Sequence, residues 1–389
     1  MCNRSQSRLS IEVICRGTPG EMGIAQGVAL RDKILHARQL LARLEAFRLQ
    51  QPRWLPFVTY RWLAEHRSAR FLTEALARDN RASEVRLRAI AAGAGVPYRS
   101  ICLFNALEPL LSSVDGCTVC PAACSAVAAT RRRTPSGEAI VARNFDYLPL
   151  VQPFYVLRES RPAGGLRSLE FTTAPMVGVV DGMNESGLCI VYDYAFTRDA
   201  PATPAAPISI AIADALAGCR TVADAARQIA GSPRWGGGLL MLADAEGAIA
   251  SLELSSTRSH LRWPAAGEDV LFHTNAFCDD QMRAVQVPDE AIYSDRAPKP
   301  LRGCRVHESS EVRDARFRQL IEAAGPLGAG ELAALMADHG PEGIASDYTP
   351  CVHGTYWFTT ACLQFFPRAR RMRVAYDTAC RAKYQEFVL

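Results

Sequence analysis

The residues best suited to chemistry lie between Cys124 and Asp146. Cys124 opens a run of small and β-branched residues, residues 135–137 form a Pro-Ser-Gly turn, and a second apolar run leads to Arg143 and Asp146. Two apolar runs around such a turn predict a β-hairpin. A hairpin returns the end of its second strand to the start of its first, so we expect the thiol, the guanidinium and the carboxylate to lie together.

This combination is suited to nucleophilic catalysis. A free thiol is only partly ionised near neutral pH, and a neighbouring cation lowers its pKa and raises the fraction of reactive thiolate. A carboxylate at the same place can orient a base. We therefore predict a nucleophilic Cys124 supported by Arg143 and Asp146.

Predicted strands and helices surround this hairpin. Residues 10–15 alternate as a strand, and Thr18, Pro19 and Glu21 predict a capping box at the start of the next helix. Several helices are expected between residues 54 and 113. The other predicted elements are a helix over 207–229, strands around a turn at 244–247, a helix through 332–336, and strands over 355–366 and 371–375. No linker, repeat or low-complexity segment interrupts the chain, which favours a single domain over residues 1–389.

The hairpin resembles that of the N-terminal-nucleophile (Ntn) hydrolases that use a cysteine. Among them it is most similar to the acyl-coenzyme A:6-aminopenicillanic acid acyltransferase family (peptidase C45), with choloylglycine hydrolases and penicillin V acylases more distant. The shared features are Cys124-Ser125, a Thr-x-x-Gly turn over residues 134–137, and an Arg-Asn-x-Asp over residues 143–146. The basic run at residues 131–133 departs from the family pattern.

The resemblance implies both a fold and a mechanism. The fold would be α+β, an αββα sandwich of two antiparallel sheets, with a helical portion over residues 1–123 and a catalytic portion over residues 124–389. The Cys124 thiol would cleave the Ala123–Cys124 bond, and the new α-amine, with a reference pKa of about 7.7 to 8.0, would serve as the base. Asp146 would hold that amine and Arg143 would stabilise the thiolate. An acyl-enzyme would then transfer its acyl group, from a linear amide or an acyl thioester, to water or to an amine.

Three further blocks supply expected site residues. Asn184 lies in a hairpin turn, and by resemblance it is assigned a supporting oxyanion role. Asn275 ends a predicted strand, where its amide can donate to a developing oxyanion, so it is the main expected donor. Arg313 and Arg316 share one face of a helix that begins at a serine cap, and the resemblance favours Arg313 as the residue in the site.

Cys117 competes with Cys124 for the role of nucleophile. An Asp-Gly-Cys-Thr sequence around Cys117 also resembles the family, but the distance from it to Gly137 is too long for one tight hairpin. Cys117 and Cys120 form a Cys-x-x-Cys pair, but no second ligand pair with matching spacing accompanies it. We therefore predict no metal.

Two functions from other classes are retained as alternatives. A papain-like cysteine protease would combine Cys124 with His273 and Asn275, although that class places its cysteine on a helix and not on a strand. A catalytically silent relative would act as a binding protein. His339, which follows Asp338 at a predicted helix end, is assigned no catalytic role.

Composition excludes several classes of partner. The chain has 389 residues, 49% of them hydrophobic and 22% charged, with a net charge of +4 and no basic stripe interleaved with aromatic residues, which argues against nucleic acid. A small acyl substrate is expected, with no cofactor, although residues 131–133 could meet the phosphates of a coenzyme A thioester donor. No apolar leader or membrane span is recognised, and thirteen cysteines fit a reducing cytoplasm. Homo-oligomerisation is left open.

Overall fold

The computed structural model of this chain describes residues 9–112 and 123–389, and two β-sheets form the centre of that part. The strands are β1 Val13–Gly17, β2 Ser125–Ala129, β3 Ile140–Tyr147, β4 Tyr155–Pro162, β5 Ser168–Thr173, β6 Asp181–Asn184, β7 Cys189–Ala195, β8 Ala206–Pro207, β9 Arg234–Trp235, β10 Gly237–Ala243, β11 Ile249–Leu254, β12 Ser259–Arg262, β13 Val270–His273, β14 Phe358–Phe366, β15 Arg371–Ala375 and β16 Gln385–Val388. The larger sheet has the order β1-β4-β5-β6-β7-β10-β11-β12 and the smaller one β13-β2-β3-β14-β15-β16. Adjacent strands are antiparallel in both sheets except at β1 and β4, and β8 and β9 form a separate parallel pair.

Helices lie on the outer faces of the two sheets. They are α1 Pro19–Ala29, α2 Arg31–Leu40, α3 Glu45–Leu49, α4 Phe57–Asp79, α5 Arg81–Ala94, α6 Tyr98–Ser112, α7 Ile208–Gly218, α8 Val222–Gly231, α9 Asp280–Arg283, α10 Glu308–Ala323 and α11 Ala329–Met336. Short 3₁₀ helices occur at Pro149–Phe154, Lys299–Leu301 and Ala379–Arg381. α7 and α8 pack on the larger sheet, and α10 and α11 cover the smaller one. The predicted αββα sandwich is confirmed.

The predicted hairpin is formed by β2 and β3. Ser125 lies opposite Asn144, and Ala126 lies opposite Arg143. Because successive strand residues point to opposite faces, Cys124, Arg143 and Phe145 face the larger sheet, whereas Asn144 and Asp146 face the helices α10 and α11. Candidate site residues therefore lie on both faces of the hairpin.

The N-terminal helices pack closely on one another and on the edge of the larger sheet. The predicted capping box is present, with Thr18 Oγ1 accepting from the Glu21 N–H and the Glu21 carboxylate accepting from the Thr18 N–H. A Cβ added at Gly23 or Gly27 would lie 2.4 Å from a backbone oxygen of α5, so both glycines permit the close contact of α1 with α5. β1 then pairs with β4, which attaches this helical portion to the sandwich.

In the described residues, no helix combines the length and the apolar character needed to cross a bilayer. The division of the chain into portions 1–123 and 124–389 stays a prediction.

Candidate active site

Cys124 lies directly before β2, and it is buried between the two sheets with 1% of its surface exposed. Arg143 Nη2 lies 3.3 Å from its Sγ, and the thiol donates to the Asp146 carbonyl oxygen at 3.9 Å. The backbone N–H of Ala123 also donates to that oxygen, at 3.2 Å, so the strand pairing continues past the cysteine. The thiol and the guanidinium predicted to meet at the base of the hairpin do so, and Asp146 contacts the thiol through its carbonyl oxygen and not through its carboxylate.

Arg143 is held by two buried carboxylates on the facing sheet. Its Nη1 donates to Asp181 at 2.6 Å and its Nε donates to Asp193 at 3.0 Å, and all three side chains are fully buried. Its Nη2 also donates to the Tyr192 carbonyl oxygen. Burial acts to lower the pKa of the guanidinium, but Asp181, Cys124 and Asp193 together raise it above its ordinary value. Arg143 is therefore a fixed cation beside the sulfur.

The Cys124 thiol nevertheless has a raised pKa. Burial is the largest cause, Arg143 opposes it, and the negative charges of Asp193 and Asp146 add to it. A thiol in this state is neutral near pH 7, so it needs a base before it can act as a nucleophile.

Asp146 has one carboxylate oxygen without a partner. Its Oδ1 accepts from Thr359 Oγ1 at 2.6 Å, whereas its buried Oδ2 has no hydrogen-bond partner in the described residues. Burial raises the pKa of this carboxyl to about 7, although Arg313 and the Thr359 hydrogen bond both act to lower it. Buried carboxylate oxygens normally find a donor, so the position suits a further N–H group.

Arg313 and Asn275 meet on the other side of Cys124. Arg313 donates to the Cys124 carbonyl oxygen at 2.7 Å and to Asn275 Oδ1 at 2.9 Å. The Asn275 amide nitrogen donates to the Tyr194 carbonyl oxygen at 2.8 Å. Arg316 instead lies at the surface and pairs with Asp338 at 2.7 Å. Of the two arginines left open by the sequence, the structure brings Arg313 to the cysteine.

Asn184 is not brought to this cluster. Its amide nitrogen donates to the carbonyl oxygens of Leu216 and Cys219, at 2.9 and 2.7 Å, at the end of α7. Its Oδ1 accepts from the N–H groups of Ser186 and Leu188 in its own turn. These bonds connect the turn after β6 to α7, and they give no support to the predicted oxyanion role.

His273 lies near the cluster but does not form the thiol–imidazole pair of a papain-like protease. Its Nδ1 lies 3.1 Å from Ser251 Oγ. Its Nε2 lies 3.2 Å from Asp193 Oδ2, but without the alignment of a hydrogen bond. The contacts found for the Cys124 sulfur are instead those to Arg143 and Asp146.

Cys117, the competing candidate for the nucleophile, lies outside the described residues. So does Cys120, with which it forms the Cys-x-x-Cys pair.

An apolar pocket opens beside Cys124 and Arg143. Its volume is about 130 Å³, roughly ten times the space that one water molecule needs. The apolar side chains around it include Leu41, Leu44, Phe104, Leu107, Phe145 and Trp235. Glu108 also lines the pocket and accepts from the Tyr192 hydroxyl, and burial raises the pKa of its carboxyl to about 7. The sulfur thus lies at the wall of a mainly hydrophobic cavity.

The basic run at residues 131–133 lies at the far end of the hairpin. At about 3.3 Å per strand residue, it is roughly 20 Å from Cys124. Arg132 pairs with Asp269 at 2.9 Å, and Arg133 donates to the carbonyl oxygens of Ile321 and Ala324 at the end of α10. This run gives no support to a phosphate contact near the thiol.

Sequence reasoning missed Asp181, Asp193 and Glu108. A signal for two of them was available, because Asp181 begins one buried strand and Asp193 interrupts another that is otherwise apolar or aromatic. A fully buried carboxylate needs a cationic or hydrogen-bonding partner, and Arg143 was the candidate cation already identified.

The solved structures that resemble this chain share little sequence with it. The N-acylethanolamine-hydrolyzing acid amidase ortholog of Caenorhabditis elegans has a TM-score of 0.42 and 13% identity, over 68% of this chain and 99% of its own. Penicillin V acylase from Agrobacterium tumefaciens has the same score and identity, over 68% of this chain and 86% of its own. A mutant of the conjugated bile acid hydrolase from Clostridium perfringens has a TM-score of 0.36 and 11% identity, over 68% and 97%. Scores of this size carry no inference about activity, and no curated protein matches the sequence.

A family model does match the sequence over residues 132–375, which is more than half of the chain. That region contains Arg143, Asp146, Asn275 and Arg313, and it begins after Cys124, so the assignment of the nucleophile depends on the hairpin geometry alone. The chain therefore belongs to the acyl-coenzyme A:6-aminopenicillanic acid acyl-transferase family.

Proposed function

We propose that this protein is an Ntn-type amidohydrolase or acyltransferase that cleaves its own Ala123–Cys124 bond and then acts through a Cys124 acyl-enzyme. The observation that carries the proposal is the environment of Cys124, where Arg143 contacts the sulfur and Arg313 contacts the carbonyl oxygen beside an apolar pocket. Cations at both positions fix the cysteine in place and favour negative charge on the sulfur.

Self-cleavage would supply the base that the continuous chain lacks. The sulfur attacks the Ala123 carbonyl carbon, the C–N bond to Cys124 breaks, and the thiol proton ends on the departing nitrogen. Water then hydrolyses the resulting thioester, which leaves a carboxylate on Ala123 and a free α-amine on Cys124. The unpartnered Oδ2 of Asp146, one residue along β3 from the position opposite Cys124, supports a role in holding that amine.

The mature thiol would transfer its proton to the α-amine. The reference pKa of this amine, about 7.7 to 8.0, allows it both to accept a proton and to donate it again near neutral pH. Attack on a substrate carbonyl places negative charge on the carbonyl oxygen. The Asn275 amide, oriented by Arg313 and Tyr194, is the proposed donor to that oxygen. Asn184 has no part in this step.

The pocket favours a small-molecule substrate with an apolar acyl group. Aromatic and aliphatic side chains bury such a group at about 25 cal/mol for each Å² removed from water. A linear amide would yield its amine as the leaving group, and an acyl thioester such as that of coenzyme A would yield a thiol. We also propose that the enzyme works in a reducing compartment such as the cytoplasm, because the cysteines of the described residues are free.

A panel of N-acyl amides and acyl thioesters, graded in acyl length and including arylacetyl groups, tests this function. We expect release of the amine or thiol, together with an acyl adduct on the fragment that begins at Cys124 in rapidly quenched samples. Cys124→Ala should abolish both signals. Turnover that persists in Cys124→Ala would refute the proposed nucleophile, and a processed chain that releases nothing from any substrate would favour a silent binding protein.

A further inference from the structure

A second cluster of reactive side chains lies beside β14. His339 follows α11, Cys351 and His353 lie in the segment before β14, and Cys380 lies in the 3₁₀ helix Ala379–Arg381. One ligand atom from each residue lies within 4.8 Å of the other three. Three separate segments of the chain therefore meet at these four side chains.

The separations match those of a tetrahedral metal site. Zn²⁺ bonds of about 2.3 Å to sulfur and about 2.0 to 2.1 Å to nitrogen place the ligand atoms about 3.3 to 3.8 Å apart. His353 Nε2 lies 3.3 Å from Cys351 Sγ and 3.4 Å from Cys380 Sγ. The His339 and His353 rings are nearly perpendicular, with centroids 5.1 Å apart, so both can direct a nitrogen to one point. Only a small contraction is needed to place one ion among the four atoms.

The hydrogen bonding of His339 supports the same conclusion. His339 Nε2 is buried and has no hydrogen-bond partner in the described residues. A buried ring nitrogen without a partner is costly, and coordination to a cation would satisfy it. Cys351 is also fully buried.

We propose that His339, Cys351, His353 and Cys380 bind one Zn²⁺ ion. Two thiolates and two neutral imidazoles give a site with no net charge, and this ligand set prefers zinc to the hard cations Mg²⁺ and Ca²⁺. Because four protein ligands complete the tetrahedron, the site is structural and not catalytic. The exposed Cys380 provides the route by which the ion enters.

The metal would also stabilise the backbone segment that orients Asp146. Val352, between two of the ligands, donates its N–H to Thr359 Oγ1 at 2.9 Å, and the Thr359 N–H donates back to the Val352 carbonyl oxygen at 2.9 Å. The same Thr359 hydroxyl donates to Asp146. An ion bound at Cys351 and His353 would therefore hold the backbone that orients this carboxylate, while the site itself does not depend on the proposed enzymatic function.

A disulfide between Cys351 and Cys380 is the competing use of the two thiols. It would leave the two imidazoles without a role and His339 Nε2 still without a partner. Both cysteines are free in this structure.

Metal content of the purified full-length protein tests the proposal. We expect one zinc per chain by elemental mass spectrometry after gel filtration without chelator. Co²⁺ added to the chelator-treated protein should give the intense visible bands of tetrahedral coordination and a thiolate-to-cobalt charge-transfer band. Cys380→Ser should weaken metal affinity by at least about tenfold, the loss that even an outer-shell change can cause. Cys278→Ser, at another exposed cysteine, is the matched control and should keep wild-type affinity.

Three results would overturn the proposal. The first is wild-type protein that holds no zinc and gives no tetrahedral cobalt spectrum. The second is a metal affinity unchanged in Cys380→Ser, which would locate the metal elsewhere. The third is a Cys351–Cys380 disulfide in peptides mapped from protein purified under nitrogen. The cobalt titration uses the wild-type chain, so its result does not depend on whether a variant folds.

Discussion

Replacing Asp146 by asparagine should raise the stability of the uncleaved chain at alkaline pH, and it should lower the activity of the chain that can cleave itself. Burial raises the pKa of this carboxyl to about 7, whereas an aspartate in an unfolded chain titrates near pH 3.9. Between about pH 3.9 and about pH 7, the Asp146 carboxyl has lost its proton in the unfolded state but keeps it in the folded state. The free energy of unfolding therefore falls as pH rises through this range. That loss is complete above about pH 7, and an asparagine does not incur it.

The size of the effect follows from the pKa shift. Each pH unit between the two pKa values lowers the free energy of unfolding by about 1.4 kcal/mol. The chain that keeps Asp146 should therefore lose about 3 kcal/mol of stability between about pH 5 and about pH 8. Asparagine can still accept from Thr359, but it buries an amide at the position of the unpartnered oxygen, which costs about 1 to 3 kcal/mol at every pH. We expect the variant to be close to its parent at about pH 5 and about 1 to 3 kcal/mol more stable at about pH 8.

Urea unfolding in a Cys124→Ala background measures this difference on a chain that stays uncut. Asp181→Asn is the matched control, because burial also raises the pKa of that carboxyl to about 7 but Asp181 pairs with Arg143. Breaking that buried pair should cost about 3 to 5 kcal/mol. In the Cys124 chain, Asp146→Asn should lower activity by about 10²- to 10⁴-fold, because the α-amine would no longer be held in place and the usual contribution of a positioned base would be lost. A pH-independent stability difference, or a net loss at about pH 8, would contradict the argument.

Other substitutions separate the remaining roles. Arg313→Lys should slow self-cleavage by about 10²-fold, since lysine cannot keep both contacts of the arginine. Arg316→Lys, at the surface, is the control and should change the rate by no more than about twofold. Time courses of fragment appearance measure both rates. Asn275→Ala should lower kcat by about 10²- to 10³-fold with little change in KM, and an unchanged kcat would remove it from the oxyanion site. His273→Gln should keep kcat within about tenfold in steady-state assays, whereas a loss of 10²-fold or more in a folded variant would revive the protease alternative.

The hairpin and its contacts could be predicted because they depend on local pattern. Two apolar runs around a turn determine the register, and the register then places Cys124, Arg143 and Asp146 within a few residues of one another. The capping box at Thr18 is local in the same way. Membership in an acyltransferase family was also predicted from these residues, and it is confirmed by the family match.

Contacts between the two sheets could not be predicted from local pattern. Asp181 and Asp193 reach Arg143 only because the larger sheet packs face to face on the hairpin. Asn184 was expected to reach the site, but its turn lies against the end of α7, where two free carbonyl groups take its amide. A helix end leaves such carbonyls unsatisfied, which explains why the side chain turns that way.

The histidine and cysteine cluster was missed for a different reason. Sequence searches for zinc rely on paired ligands at short, matched spacings, and the ligands here are spread between residues 339 and 380. The fold brings them together through α11, the segment before β14 and a 3₁₀ helix. The four side chains therefore carry a metal-site proposal that spacing along the sequence did not predict.

The central claim is that Cys124 cleaves the bond that precedes it, and intact mass spectrometry of freshly purified protein tests it most directly. We predict two fragments in the wild type, residues 1–123 and 124–389, and a whole chain in Cys124→Ala. Cys117→Ala should be cleaved like the wild type. A wild-type chain that stays whole, or fragments that begin at Cys117 and persist in Cys124→Ala, would contradict it.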